Sequence, residues 1–411
     1  MTLTRVVSRD VTSSDLGRDL LHLLCASPVA IPGGAEDITT PQALLEVASA
    51  LASVKELAVD VEADAMHHFR ARLCFVQLGT DAKVFLVDTL APDVRADVLA
   101  PVFADGSVTK FFHAAQGDLQ YLAEAGVRVK GLFDTHRAAT LLGWPKVGLA
   151  DLVKDHLGAT LQKEHQQSDF SLRPLPPELR AYIADDVRYL VDVARKVRDA
   201  CLAADILEEV VLDCERMCED AAARPDPAEA LNVKLPRQGL SPEQVRLAQH
   251  LARELNRLRL KWAEAEDVPM GRMLSNMAIA SIATKPPASL RELAKQQGVR
   301  GAFVRQHGDE VLATLEAYKQ RAHGGGLEDL DTKERKDPRA KKREDVLMDW
   351  RKAAAAERKV TPSVVLPNAL VEGIAATAPR SLDELRQVPF FGEKRLARHG
   401  ESLLAALKPY L

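Results

Sequence analysis

Apolar residues first fall into a regular rhythm in "TTPQALLEVASALAS", where Leu44, Leu45, Val47 and Leu51 recur at helical spacing. Three runs with β character follow at 56–61, 73–79 and 83–88, joined by polar links, which predicts an antiparallel meander. A fourth run, "VTKFFHA" (108–114), comes after a helix-like stretch at 96–103. The period then changes. "GDLQYLAEAGV" predicts a helix ended by Gly126, and "LFDTHRAATLLG" and "VGLADLVKDHLG" predict two more that stop at Gly143 and Gly158. Pro176 and Pro177 open a last helix, whose spacing continues to about residue 200. Strands, a mixed stretch and then long helices predict one α/β domain over roughly 40–220. Residues 1–40 read as a lead-in with one short helix after Ser13 and Ser14.

The second half repeats itself. A shift of 92 residues brings Arg259 onto Arg351, Asn276 onto Asn368, Ser289 onto Ser381, His307 onto His399, Gly308 onto Gly400 and Tyr318 onto Tyr410, among others and without a gap. Each copy reads as a long helix, a middle segment, P-x-S-L-x-x-L, then H-G and a closing amphipathic helix. Ser289 and Ser381 each stand three residues before a glutamate, Glu292 or Glu384, the spacing of a capping box. Two small all-α bundles are expected. Between them "HGGGLEDLDTKERKDPRAKKRED" (323–345) has glycines, dense charge and no apolar period, as a flexible linker does. The resulting division is an N-terminal extension (1–40), an α/β domain (41–225), a first bundle (238–320), a charged linker (321–343) and a second bundle (344–411).

Composition narrows the class. The chain has 411 residues, 46% hydrophobic and 28% charged, the profile of a globular protein long enough for several domains. No run approaches the ~18 apolar residues of a membrane span. The start lacks a signal peptide's apolar core. Five cysteines are few and scattered. Cys214 and Cys218 lie one helical turn apart with no second ligand pair, which fits core packing better than zinc. A reducing cytoplasm is expected, and a monomer. Charge is divided unevenly: residues 231–411 carry 32 basic and 23 acidic side chains, against 23 and 36 over 1–230. A basic half suits a polyanion, though solvated faces are the plain alternative. No phosphate-binding glycine loop is visible, so no nucleotide cofactor is expected.

The acidic half contains the chemistry. In "KELAVDVEAD" the strand period sends Asp60 and Glu62 to one face, where two carboxylates repel unless something positive lies between them. "FFHAAQGDLQYL" places Asp118 after a strand, near a helix start, and "LRAYIADDVRYL" puts Tyr182 and Asp186 on one helix face, with Asp185 one residue off it. Alone, D-x-E reads as an exposed strand end, Asp118 as a helix-start acid, and Tyr182 with Asp186 as a packed tyrosine beside a surface aspartate. Together they supply the oxygen ligands that a hard divalent cation prefers, and two such ions can steady both the attacking and the leaving oxygen in phosphodiester hydrolysis.

The order D-x-E, H-x-x-x-x-D-L, Y-x-x-x-D resembles the DEDD superfamily of 3′–5′ exonucleases, in its tyrosine-bearing branch. The tandem repeats resemble the helicase-and-ribonuclease-D C-terminal (HRDC) domain, and the combination over about 40–411 is similar to the bacterial ribonuclease D family. "GLFDTHRAATLLG" and "LGATLQKEHQQSDFSLRPL" resemble that family's segment between the second and third motifs. The resemblance implies a ribonuclease-H-like mixed sheet flanked by helices, followed by two helical HRDC-like bundles. It implies metal ligation by Asp60, Glu62, Asp118 and Asp186, with two Mg²⁺ or Mn²⁺ ions. Asp60, Glu62 and Asp186 would hold the ion that activates water, Tyr182 would orient that water, and Asp118 would serve the second ion through water. The implied activity is 3′–5′ exoribonuclease release of nucleoside 5′-monophosphates, trimming the free 3′ ends of tRNA precursors and other small structured RNAs.

Ala63 stands where the family often has phenylalanine, and "HHFRARLCF" departs from the family's usual tyrosines and proline, with Phe69 the candidate for terminal-base stacking. His113 belongs to the second motif and reads as structural support beside the substrate. Lys163, Asp169 and Arg173 are candidates for substrate phosphate or ribose, with surface charge as the plain reading. Lys341, Lys342, Arg343, Arg351 and Lys352 are candidates for gripping RNA backbone. The same chemistry on DNA, or a non-catalytic RNA-binding scaffold, are the competing readings, since the 2′-hydroxyl separates the polymers and no residue here decides it.

Overall fold

The computed structural model of the protein describes residues 34–161, 165, 167–222, 233–236, 238–323, 327, 337–358 and 360–411. Strand β1 (Ala35–Ile38) leads into helix α1 (Pro41–Leu51), capped by the Thr40 hydroxyl, which accepts from the Ala43 amide. β1 falls inside the stretch read as an extension. It has a single buried apolar residue, Ile38, and so leaves no hydrophobic run to notice. The helix expected after Ser13 lies outside the described residues.

Strands β2 (Glu56–Ala63), β3 (Leu73–Gly79) and β4 (Val84–Asp88) form the expected antiparallel meander. β5 (Thr109–Phe112) and β6 (Leu132–Asp134) extend it in parallel beyond β2, and β1 pairs in parallel with β4. Among the described residues this gives one mixed sheet of six strands in the order β1-β4-β3-β2-β5-β6. Leu57, Ala58 and Val59 of central β2 are wholly buried.

Helices α2 (Ala100–Ala104), α3 (Gln116–Glu124), α4 (Thr135–Leu141), α5 (Leu149–Leu157), α6 (Pro177–Arg188), α7 (Leu190–Ala203) and α8 (Leu207–Ala222) complete the domain. Two expectations change. "LFD" is a strand rather than the start of a helix, because Asp134 caps α4 by accepting from the Arg137 amide at 2.9 Å and ends β6 there. The long helix from Pro177 breaks at Tyr189 into α6 and α7.

The first bundle comprises α9 (Pro242–Ala265), α10 (Met270–Met273), α11 (Asn276–Thr284), α12 (Leu290–Leu293) and α13 (Gly301–His323). The second comprises α14 (Pro338–Arg358), α15 (Pro362–Val365), α16 (Asn368–Thr377), α17 (Leu382–Arg386) and α18 (Glu393–Leu407). α13 and α14 each run into the stretch read as linker. The charges of "KKRED" lie on α14, which is anchored by buried Arg343, whose Nε donates to the Ala375 carbonyl at 2.6 Å. The repeat extends to individual bonds. Arg259 donates to the Leu274 carbonyl at 3.0 Å, and its counterpart Arg351 donates to the Leu366 carbonyl at 2.7 Å. Ser289 and Ser381 cap α12 and α17, while Glu292 and Glu384 reach back to the amides of Ala288 and Arg380.

Both bundles touch the α/β domain. Asp267 of the first accepts from the Phe69 amide at 3.1 Å and meets His68 Nδ1 at 2.8 Å. In the second, the Glu208 carboxylate takes the backbone amides of Glu393 and Lys394 at the N-terminus of α18, where the helix dipole favours an anion. Arg395 and Arg398 of α18 pair with Asp213 and Glu209 of α8.

Candidate active site

β2 presents Asp60 and Glu62 on one face, and the sheet register sets Gln77 and Phe75 of β3 opposite them. The register slips after Glu62, where the strand ends. α6 crosses that face and carries Tyr182 and Asp186 one turn apart. It lies close because β3 has a glycine beneath it: a Cβ on Gly79 would stand 2.7 Å from the Val187 carbonyl oxygen. The approach brings ligand atoms of Asp60, Glu62 and Asp186 within 4.8 Å of one another.

Three partly buried carboxylates at that spacing resist ionising together. Burial pushes Asp60 up to about 7. Burial first, and then the charges of Asp60, Asp186 and Asp118, push Glu62 up to about 10. Asp186 is raised by burial and by Asp60, and its buried Oδ2 meets no hydrogen-bonding partner among the described residues. Oxygen donors with no cationic partner among the described residues, one of them orphaned, are the donor set that suits a divalent ion.

Asp118 lies in the first turn of α3, outside the 4.8 Å group but near enough that its charge acts on Glu62. Its carboxyl is raised by burial and by Asp60. The turn before α3 is held by Asp134, which accepts from the amides of Ala114 and Ala115 at 3.2 and 2.8 Å. Asp134 is 1% exposed, and sequence reasoning passed over it. Its signal was an aspartate directly before a threonine at a helix start. Asp64 was missed as well. It is fully buried and takes the Arg72 amide and Nε at 2.6 and 2.7 Å, bracing the turn that follows Glu62.

A cleft of about 510 Å³ opens over the acids, lined by Asp60, His113, Leu149, Tyr182, Asp186 and Leu190 among others. Burial pushes the His113 imidazole down to about 4, so it is neutral near pH 7. The Thr135 hydroxyl donates to the Phe112 carbonyl, so it accepts from His113 Nδ1 at 2.8 Å, which leaves Nε2 as an acceptor. Burial and the nearby acids raise the Tyr182 phenol, keeping its proton. The Tyr182 ring stacks on Phe170 with centroids 6.2 Å apart.

Arg173 is committed elsewhere. Its Nε and Nη2 grip Asp88 at 2.6 Å each, and the remaining N–H groups reach the carbonyls of Phe170, Leu172 and Cys74. With a guanidinium's five donors used, it clamps the segment before α6 onto the sheet and has none left for a substrate phosphate. Asp169 is turned to the Ser171 amide and hydroxyl. Lys163 lies outside the described residues.

A 3′–5′ exonuclease family model matches residues 35–202, and the HRDC domain model matches 248–315 and 340–407. The ribonuclease D of Gluconacetobacter diazotrophicus is 32% identical over 285 residues, 69% of this chain and 71% of that one. The chain belongs to the ribonuclease D family. It is accordingly a 3′–5′ exoribonuclease dependent on divalent metal. Exosome complex component 10 of Homo sapiens is 34% identical over 164 residues, which cover 39% of this chain and 18% of that one. The crystal structure of Escherichia coli ribonuclease D shares the fold with a TM-score of 0.66 over 92% of this chain and 99% of that one, at 24% identity. The acids gathered at 4.8 Å lie inside the exonuclease match, and the paired arginines Arg259 and Arg351 lie inside the two HRDC matches.

Proposed function

We propose that this ribonuclease D trims the 3′ ends of structured RNAs, tRNA precursors foremost, with Asp60, Glu62, Asp118 and Asp186 holding two divalent ions and Tyr182 orienting the attacking water. The observation that carries this is the convergence of Asp60, Glu62 and Asp186 from a strand and a helix onto one 4.8 Å cluster. Bound divalent ions would supply the positive charge that activates water and steadies the leaving 3′ oxygen. The side chains do the rest. The phenol of Tyr182, kept protonated, donates to or positions the nucleophile beside Asp186. His113, neutral with Nε2 free to accept, offers a contact to the terminal ribose. Products leave as nucleoside 5′-monophosphates.

The helical half holds the body of the RNA. Its excess of 32 basic over 23 acidic residues supports this. A second cleft of about 740 Å³ supports it too. This cleft runs between the exonuclease domain and the second bundle, is lined by Gln116, Arg137, Arg216, Ser363 and Asn368, and shares Ala114 with the catalytic cleft. The protein acts as a monomer. No helix among the described residues is long and apolar enough to cross a membrane. Cys74, Cys201, Cys214 and Cys218 are free thiols, which fits a reducing cytoplasm.

The test is a 3′-extended tRNA incubated with wild-type protein and Asp60→Ala, with Mg²⁺, with Mn²⁺ and with chelator, beside matched RNA and DNA oligonucleotides. Stepwise shortening of the RNAs that needs both metal and Asp60 is the expected result. Trimming that survives Asp60→Ala, or that prefers DNA, overturns the reading.

A further inference from the structure

Gln77 stands opposite Asp60 in the β2–β3 ladder, so its side chain leaves the sheet on the same face as the Asp60 carboxylate. That face is covered by α6. Gly79, two residues along and therefore on the same side, lies directly beneath the Val187 carbonyl. The Gln77 amide is enclosed between the two elements that build the acidic cluster. It is 0% exposed, and neither its Nε2 nor its Oε1 meets a hydrogen-bonding partner among the described residues. Packing alone does not account for glutamine here, because methionine would fill the same volume without burying an unpartnered amide. A second unpartnered polar atom, Asp186 Oδ2, is buried on the facing helix.

We propose that Gln77 is a positioning residue for the metal ligands, its Nε2 donating to the Asp60 carboxylate when a divalent ion is bound. The donor type fits the task. A lysine in that place would compete with the ion for the carboxylate, and a further acid would add repulsion. A neutral amide restrains the sheet-facing oxygen of Asp60 and leaves the other for the ion. Groups that orient a ligand in this way typically govern metal affinity by about 10–100-fold. The inference rests on the reading of Asp60, Glu62 and Asp186 as ligands.

The experiment uses full-length protein, with Mn²⁺ alone titrated by calorimetry, thermal denaturation without metal, and steady-state trimming of an RNA oligonucleotide. Gln77→Met keeps or raises the metal-free melting temperature, since it removes an unpartnered buried amide, while Mn²⁺ binds about 10–100-fold more weakly. Its kcat falls with little change in KM for RNA and recovers as Mn²⁺ is raised. Gln77→Asn, which keeps an amide but withdraws it by one methylene, weakens Mn²⁺ binding in the same direction and covers the case in which the methionine variant does not fold. Mn²⁺ affinity within twofold of wild type in the folded variants overturns the role of Gln77. Asp60→Ala separates the two levels: Mn²⁺ affinity unaffected by that change overturns the ligand reading itself, whereas a loss there beside normal Gln77 variants overturns only the inference about Gln77.

Discussion

Asp213 of α8 and Arg395 of α18 meet at 3.1 Å with side chains only 1% and 2% exposed, joining the exonuclease domain to the second helical bundle. Arg137 shares the same carboxylate, its Nε 2.9 Å from Oδ2. Removing the acid strands two guanidinium groups, one of them wholly enclosed. Asp213→Ala is expected to cost roughly 3–5 kcal/mol, the usual penalty for breaking a buried pair from one side. Urea denaturation measures it. A cost below about 1 kcal/mol would mean that the pair is solvated in solution.

Arg173→Lys tests the clamp on Asp88. Lysine replaces a five-donor fork by a single ammonium, and carbonyls of Phe170, Leu172 and Cys74 lose their partner. A drop of roughly 1–3 kcal/mol in stability is expected, with KM for RNA within twofold at a temperature where the variant is folded. Weaker RNA binding at unchanged stability would return Arg173 to the substrate.

The site carboxyls give metal-free stability a pH dependence. Asp60 is raised to about 7 and Glu62 to about 10, whereas both titrate near 4 in an unfolded chain. Between about pH 4 and those values the native state binds more protons, so their contribution is present at low pH and is lost as pH rises, by up to about 1.4 kcal/mol per pH unit for each proton. Calorimetry of wild type against Glu62→Gln isolates the effect from other carboxylates. The variant should gain relative stability between pH 5 and pH 8 without metal. A difference that stays constant would contradict the buried, crowded environment of Glu62.

Gly308 and Gly400 occupy equivalent places in the two bundles. A Cβ there would meet Leu290 Cδ2 at 2.6 Å and Leu382 Cδ2 at 2.7 Å. Both leucines are more than a third exposed and can turn aside, and alanine is favoured over glycine inside a helix by about 1 kcal/mol, so both alanine variants should stay within roughly 1 kcal/mol of wild type. Thermal denaturation checks this, and a loss above about 2 kcal/mol in either variant would show its leucine to be held in place.

Each half of the acidic cluster was legible because local periods convert directly into geometry, and the meeting of the two halves was implied by the family resemblance. Asp60 and Glu62 are two apart on a strand, Tyr182 and Asp186 four apart on a helix, and each spacing selects a face. The register of the repeats was legible from identities at a 92-residue shift, down to the caps at Ser289 and Ser381. Other features depend on contacts that no window of sequence contains. Arg173 reaches Asp88 across 85 positions, and Arg395 reaches Asp213 across 182. β1 and β6 are short and carry too few apolar residues to stand out. Asp134 also takes the amides of Ala114 and Ala115, 20 and 19 positions upstream, and only its helix-start role left a local sign.

The seating of α18 on Glu208 gives the duplication a direction. In the earlier copy the positions matching Glu393, Lys394, Arg395 and Arg398 are Gly301, Ala302, Phe303 and Gln306. Phe303 turns inward, its ring 5.5 Å from that of Trp262, where Arg395 turns outward to Asp213. At this helix end the twin modules have diverged, one closing its own core and the other fastening to α8. A gene in which they traded places would encode two sound bundles, with the wrong one offered to the nuclease.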